Sequence, residues 1–328
     1  MKILVTRKIP GDHIKKLIDA GHEVTVSEFA RPLTAEELVN KIKGVDAAIT
    51  LLTDRVDGDL IDAAGPQLKI ISNYAVGFDN VDLKAATDRG VVVTNTPCDE
   101  VNVAVAEHTL ALLLDVARRV SESDRATREG AYKGWEPDIF LGNNLNGKNL
   151  GIIGLGRIGT MVARYGKALG MNIVYNKTSP DPEIEKELAA KFMSLDDLLA
   201  NSDFISLHVP LTESTRHMIN ATSISKMKKG AYLINTARGP VVEESALVAA
   251  LRVGQLAGAA LDVFDNEPNL NPELIGLSNV VLTPHIASAT WEAREKMGEL
   301  AIGAILDLIA DKKPVNLANP EVWPARRH

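Results

Sequence analysis

Between Lys148 and Asn176 the chain alternates in a way that leaves little choice of fold. The apolar run Leu150-Gly151-Ile152-Ile153 leads into Gly154-Leu155-Gly156-Arg157-Ile158-Gly159. A helix-like segment then runs to Leu169, and Asn172-Ile173-Val174-Tyr175 closes the unit. Strand, glycine turn, helix and strand within about 30 residues form the βαβ fingerprint of a dinucleotide site. Each glycine has its own task. Gly154 permits the tight turn, Gly156 leaves room for a pyrophosphate, and Gly159 lets the helix pack close to the strand. The N–H groups at the helix start, Leu155 to Ile158 included, face the phosphates with a partial positive charge.

The rest of the sequence repeats the alternation. Strands are expected at Lys2–Thr6, Glu23–Ser27, Ala47–Leu52, Leu68–Ser72 and Val91–Thr94. A helix follows Pro10-Gly11-Asp12, and another opens on the capping-box pattern Thr34-Ala35-Glu36-Glu37. After the break at Thr96-Pro97, one long helix is expected from Val101 to Val120. Six further strand signals lie between Gly151 and Leu282. The last helix, Trp291 to Ile309, is expected to return to the first domain. The fold class is α/β, with two doubly wound parallel-sheet domains. Residues 1–97 with 289–328 form the expected substrate (lid) domain, and 98–288 the dinucleotide-binding domain.

Composition narrows the function. The protein has 328 residues, 45% hydrophobic and 24% charged, as expected of a globular protein of two domains. A net charge of −7 argues against nucleic acid and against an anionic membrane surface as partners. The single cysteine, Cys98, excludes an internal disulfide framework and reads as an inert small residue in a reducing compartment. Charges interrupt the apolar start Met1-Lys2-Ile3-Leu4-Val5-Thr6-Arg7-Lys8, so no signal peptide is expected, and the expected location is the cytoplasm. Residues 130–142 read as an irregular arm exposing Trp135 and Phe140, which points to a homodimer or to packing within the same molecule.

Three polar residues follow strands of the second domain, where ligands of such sheets bind. They are Arg238, Glu267 and His285. An arginine can hold a carboxylate and polarise a carbonyl, a histidine can protonate the carbonyl oxygen as hydride arrives, and a glutamate can orient that histidine. Spacing alone leaves open a surface ion pair for Arg238 and Glu267 and a capping role for His285. His108, in Val105-Ala106-Glu107-His108, reads as a helical histidine satisfied by packing, with a ligand role as the alternative.

With these residues in hand the sequence resembles the D-isomer-specific 2-hydroxyacid dehydrogenases. The resemblance rests on Gly154–Gly159, Asn235-Thr236-Ala237-Arg238-Gly239, Leu261-Asp262-Val263-Phe264-Asp265-Asn266-Glu267-Pro268 and Thr283-Pro284-His285-Ile286-Ala287-Ser288. Gly77-Phe78-Asp79-Asn80-Val81-Asp82 extends it over almost the whole length. It implies a Rossmann cofactor domain inserted in a flavodoxin-like substrate domain, and a dimer formed through the cofactor domains. It implies that Arg238, Glu267 and His285 are catalytic, and that N–H groups at Val76 and Gly77 bind the substrate carboxylate. It further implies that Asp262 faces the nicotinamide carboxamide, that Val105, Thr236, Ala237 and Ala287 line that site, and that His208, Val209 and Pro210 border the adenosine half.

The acidic residue expected about 20 positions after the glycine turn is replaced by Tyr175-Asn176-Lys177-Thr178-Ser179. Asn176, Lys177 and Thr178 offer donors to a ribose 2′-phosphate, so NADP(H) is expected to be preferred, with NAD(H) as the second cofactor. No metal site is expected. Leu52, Ala75, Val76 and Gly77 are the expected substrate-facing residues of the first domain. Asn73-Tyr74-Ala75-Val76-Gly77 and the arm most resemble glyoxylate/hydroxypyruvate reductases, with a small 2-oxo or 2-hydroxy acid as substrate. The alternatives are a D-lactate dehydrogenase, a dehydrogenase of branched D-2-hydroxy acids, and a non-catalytic cofactor-sensing corepressor.

Overall fold

The computed structural model describes residues 1–328. They form two compact units, Met1–Val101 with Ala289–His328, and Asn102–Ser288. The border falls in the first turn of a helix rather than at the Thr96-Pro97 break, because that helix already begins at Asp99.

In the first unit the strands are β1 (Lys2–Val5), β2 (Glu23–Val26), β3 (Ala47–Leu51), β4 (Ile70–Tyr74) and β5 (Val92–Thr94). Helices α1 (His13–Asp19), α2 (Ala35–Ile42), α3 (Gly58–Ala64) and α4 (Leu83–Asp88) connect them. All pairings are parallel and the order is β2-β1-β3-β4-β5, the flavodoxin-like winding. The expected capping box forms: Thr34 Oγ1 accepts the Glu37 N–H at 3.2 Å, and Glu37 Oε2 accepts the Thr34 N–H at 2.8 Å. Leu4, Ile42, Ala48, Ile61 and Ile71 are buried together in its core. The last helix of the protein packs on β4, and the Ser72 hydroxyl donates to its Ala301 carbonyl at 3.0 Å.

The second unit opens with α5 (Asp99–Arg118) and α6 (Val120–Arg128), and α7 (Arg157–Ala168) follows β6 (Asn149–Ile153). The next strands are β7 (Asn172–Asn176), β8 (Lys191–Phe192), β9 (Phe204–Leu207), β10 (Ala231–Asn235), β11 (Leu256–Leu261) and β12 (Val280–Leu282). Their order is β12-β11-β10-β9-β6-β7-β8, all parallel. The winding reverses between β6 and β9, so the crevice for a ligand opens beyond the ends of those two strands.

Two expectations change. The sheet has a seventh strand, β8. It has only two residues, both exposed, so no apolar run announces it. The long helix does not reach Val120. It ends at Arg118, Arg119 takes a left-handed φ of 56°, and α6 starts afresh. Asp115 accepts the Ser121 N–H at 2.7 Å, and Arg119 grips Glu122 through two bonds of 2.7 and 2.8 Å, which fixes the break. In the arm, Trp135 is 81% exposed, whereas Phe140 is half-buried under the Arg119 guanidinium, 5.2 Å from the ring centre. No helix is long and apolar enough to cross a membrane.

Candidate active site

The glycine turn lies at the reversal point of the second sheet. Gly154 has φ 96°, and a Cβ there would meet the His208 carbonyl oxygen at 2.6 Å. A Cβ on Gly159 would stand 2.2 Å from the Gly154 oxygen, so only glycine allows this helix-to-strand approach. Nothing lies within 4 Å of where a Gly156 Cβ would be, and no side chain caps α7. Its first-turn N–H groups therefore remain for an anion. This cradle fits a dinucleotide pyrophosphate. Arg157 is exposed and Ile158 half-buried at its edge, while Leu155 is 2% exposed and packs inward.

The His208 ring bonds to the Ser206 hydroxyl at 2.8 Å, and burial pushes its pKa down to about 3, so the imidazole stays neutral. Val209 is half-buried and Pro210 exposed beside it. Val105 is buried, and Thr236 bonds inward to Thr109 at 2.8 Å, which leaves half-buried Ala237 the more open residue of the turn.

The residues expected at the ribose stand at and beyond the end of β7. Asn176 donates one of its two amide hydrogens to the Met193 carbonyl at 2.9 Å. Lys177 is ion-paired with Asp181 at 3.0 Å. The Lys177 bond, with the Ile184 N–H that Asp181 caps, holds the Asp181 carboxyl below its ordinary value. Thr178 is exposed.

At the end of β10, Asn235 brackets a turn. Its Oδ1 accepts the Ala237 N–H at 3.0 Å, and its Nδ2 donates to the Arg238 carbonyl at 2.9 Å. The Arg238 guanidinium donates to the Ala237 carbonyl at 2.7 Å. Gly239 follows because nothing larger fits: its Cβ would fall 1.9 Å from the carbonyl carbon of Phe264. That close approach ties the arginine turn to the loop carrying Glu267. Glu267 Oε1 accepts the Phe264 N–H at 2.9 Å, and Oε2 lies 2.8 Å from His285 Nδ1. The bond to a carboxylate makes Nδ1 the protonated nitrogen. Nε2 makes no hydrogen bond within the protein.

His285 itself is left-handed, with φ 54°. Its N–H donates to the Asp262 carbonyl at 2.9 Å. The family resemblance places Asp262 at the nicotinamide, yet it is 0% exposed. Its carboxylate accepts the Thr283 hydroxyl at 2.6 Å and the Ile286 and Ala287 N–H groups at 2.9 and 2.8 Å. Burial alone would raise its pKa, but His108 and these donors outweigh burial and hold it below the ordinary value. Asp262 is thus an internal anchor for the histidine turn, and the Ala287 N–H is committed to it.

In the first unit, Leu52 is 39% exposed at the end of β3. Val76 and Gly77 are half-buried, and their N–H groups make no hydrogen bond within the protein. Ala75 lies deeper than its neighbours Val76 and Gly77. It is buried, with its N–H on the Asn73 carbonyl and its carbonyl taken by the Thr96 N–H, both at 2.8 Å. Two carboxamides that sequence reasoning did not single out hold this loop. Asn73 donates to the Gly77 carbonyl at 3.2 Å, and Asn80 donates to the Leu51 and Asp54 carbonyls at 3.1 and 2.9 Å. Asn80 stands within the Gly77–Asp82 motif, and that membership is the one signal the sequence offers for it.

A nucleotide cradle and a carboxylate-held histidine on one doubly wound sheet define a dinucleotide-dependent oxidoreductase. Residues 110–287 match the family model of the D-isomer specific 2-hydroxyacid dehydrogenase, NAD binding domain. The chain is 48% identical over 330 residues to a glyoxylate reductase of Thermococcus onnurineus strain NA1, covering 99% of this chain and 98% of that protein. Among solved structures, a glyoxylate reductase from Paecilomyes thermophila superposes with a TM-score of 0.85 at 32% identity, over 98% and 99% of the two chains. A D-lactate dehydrogenase from Aquifex aeolicus, complexed with NAD and lactic acid, gives 0.84 at 31% identity over 97% and 99%. The chain belongs to the D-isomer specific 2-hydroxyacid dehydrogenase family. It is a nicotinamide-dependent enzyme that reduces 2-oxo acids.

Proposed function

We propose that the enzyme reduces glyoxylate and hydroxypyruvate to their 2-hydroxy acids, of D configuration where the carbon is a stereocentre. The observation that carries this reading is the Glu267–His285 pair, with Nε2 left to a substrate. The curated relatives named glyoxylate reductase support the choice among 2-oxo acids.

In this reading the Val76 and Gly77 N–H groups bind the substrate carboxylate, and Leu52 limits the size of the side chain. Arg238 takes the carbonyl oxygen and stabilises the charge that develops on it. The bound nicotinamide supplies the hydride. His285 delivers the proton to the carbonyl oxygen from Nε2, while Glu267 keeps Nδ1 protonated and the ring in plane. The first unit serves as the substrate domain and the second as the cofactor domain. Gly154, Gly156, Gly159 and the start of α7 take the pyrophosphate.

NADPH is preferred over NADH because Lys177 and Thr178 stand where a carboxylate would repel a 2′-phosphate. The enzyme acts as a homodimer that covers the exposed Trp135 and Leu141; light scattering on the purified protein tests this. For the substrate, NADPH oxidation is followed with hydroxypyruvate, glyoxylate, pyruvate and a branched 2-oxo acid in parallel. Fast turnover of the first two is expected. Activity confined to the last two overturns the substrate reading.

A further inference from the structure

We propose that His108, which the mechanism above leaves unused, is a positioning residue for the proton donor. The proposal rests on the reading of His285 as that donor. His108 lies within α5, and its side chain is 20% exposed. Its Nε2 stands 3.1 Å from Thr283 Oγ1 and 3.4 Å from Asp262 Oδ1.

The hydrogen bonds fix its tautomer. Thr283 has one hydroxyl proton, and it goes to Asp262 Oδ1 at 2.6 Å. The Thr283 oxygen is then an acceptor towards His108, so His108 Nε2 must carry a proton. A histidine that merely filled space would have no such constraint. Here it donates into the Thr283–Asp262 pair from outside the loop that Asp262 organises.

That loop is where His285 sits. Asp262 accepts from the Ile286 and Ala287 N–H groups with its carboxylate, and from the His285 N–H with its carbonyl. The left-handed backbone of His285 is disfavoured for any residue with a Cβ and persists where its surroundings over-determine it. His108 completes those surroundings. Without its donor, half-buried Thr283 loses its partner on the outer side of the fully buried Asp262, and the turn is free to relax. Nε2 of His285 then shifts relative to the carbonyl oxygen, and proton delivery suffers before binding does.

The test uses the full-length protein with three variants, His108→Phe, His108→Ala and His108→Gln. Glutamine restores an N–H donor at similar reach; phenylalanine restores the volume alone. Cofactor affinity by fluorescence titration shows that each variant folds. The expected result is a kcat loss of roughly 10- to 100-fold for Phe and Ala, from misplacement of the acid. KM for cofactor and 2-oxo acid stays within about twofold, and Gln recovers most of kcat. Wild-type kcat in the Phe variant overturns the proposal. So does a Gln variant no better than Ala, which would mark a packing role. His285→Ala, measured alongside, separates the two readings: if it keeps kcat, the site assignment has failed, whatever His108 does.

Discussion

Glu267 commits both carboxylate oxygens, one to His285 Nδ1 at 2.8 Å and one to the Phe264 N–H at 2.9 Å. It cannot rotate away from the histidine without breaking a second bond, so the imidazole is oriented before substrate arrives. In the mechanism proposed above, His285→Ala removes the proton donor and should lower kcat by ~10²–10⁴-fold. Glu267→Gln keeps the shape and the Phe264 bond but loses the charge facing the ring. It should cost roughly 10²-fold in kcat at little cost in cofactor KM. Steady-state rates for both variants decide the point, and a near-wild-type kcat in either removes that residue from the mechanism.

Gly239 is the packing counterpart of that pair. A methyl group there would fall 1.9 Å from Phe264 backbone atoms, which no side-chain rotation relieves. Gly239→Ala should force apart the arginine turn and the Glu267 loop. Overpacking of this kind costs about 1–3 kcal/mol or more, enough to lower the thermal midpoint by several degrees in a protein of this size. Calorimetry and kcat should fall together. A variant with normal kcat and normal midpoint would mean that the two loops move freely of each other.

The parts of this site that were legible in the sequence are those where one short segment carries its own reason. The Gly154–Gly159 turn is such a segment, because its three glycines answer to the strand before and the helix after. Arg238, Glu267 and His285 each follow a strand, and a parallel sheet delivers strand ends to one edge. What escaped depends on partners far apart in sequence. The inward role of Asp262 needs His108 from α5 and Thr283 after β12, 21 residues downstream of it. The pairing of Lys177 is local, yet the Asp181 that claims it also reads as an ordinary helix cap before Pro182. The break at Arg119 is set by side-chain bonds to Asp115 and Glu122, which leave the apolar pattern almost unchanged.

Under the NADPH preference proposed above, the Lys177–Asp181 pair makes cofactor choice a competition. A 2′-phosphate has to draw Lys177 away from a carboxylate 3.0 Å distant. Lys177→Ala should therefore raise KM for NADPH by roughly 10-fold or more, as expected for one charge-assisted bond, with little change for NADH. Asp181→Ala should move KM for NADPH the other way, by releasing the lysine. Initial rates with the two cofactors at low concentration read both effects. Equal responses of NADPH and NADH to Lys177→Ala would refute the assignment.

Asp262 gives the protein a built-in acid sensitivity. Its folded pKa lies below the ordinary value of about 3.9, so the folded state holds fewer protons on this group than the unfolded state does. The stability it contributes is fully present above about pH 4 and is lost as the pH falls through the folded value. Asp262→Asn abolishes this dependence and places an N–H₂ where the wild type only accepts. At pH 7 it should cost about 3 kcal/mol, the scale of a lost hydrogen bond to a buried charge. The wild-type midpoint should therefore exceed that of Asp262→Asn by a constant margin from pH 7 to about pH 5, and the margin should narrow below about pH 4. Thermal unfolding at a series of pH values measures it. A margin that stays level down to about pH 3, or one that widens in acid, would mean that the carboxylate is not held charged by Thr283, Ile286 and Ala287 in the way their bonds imply.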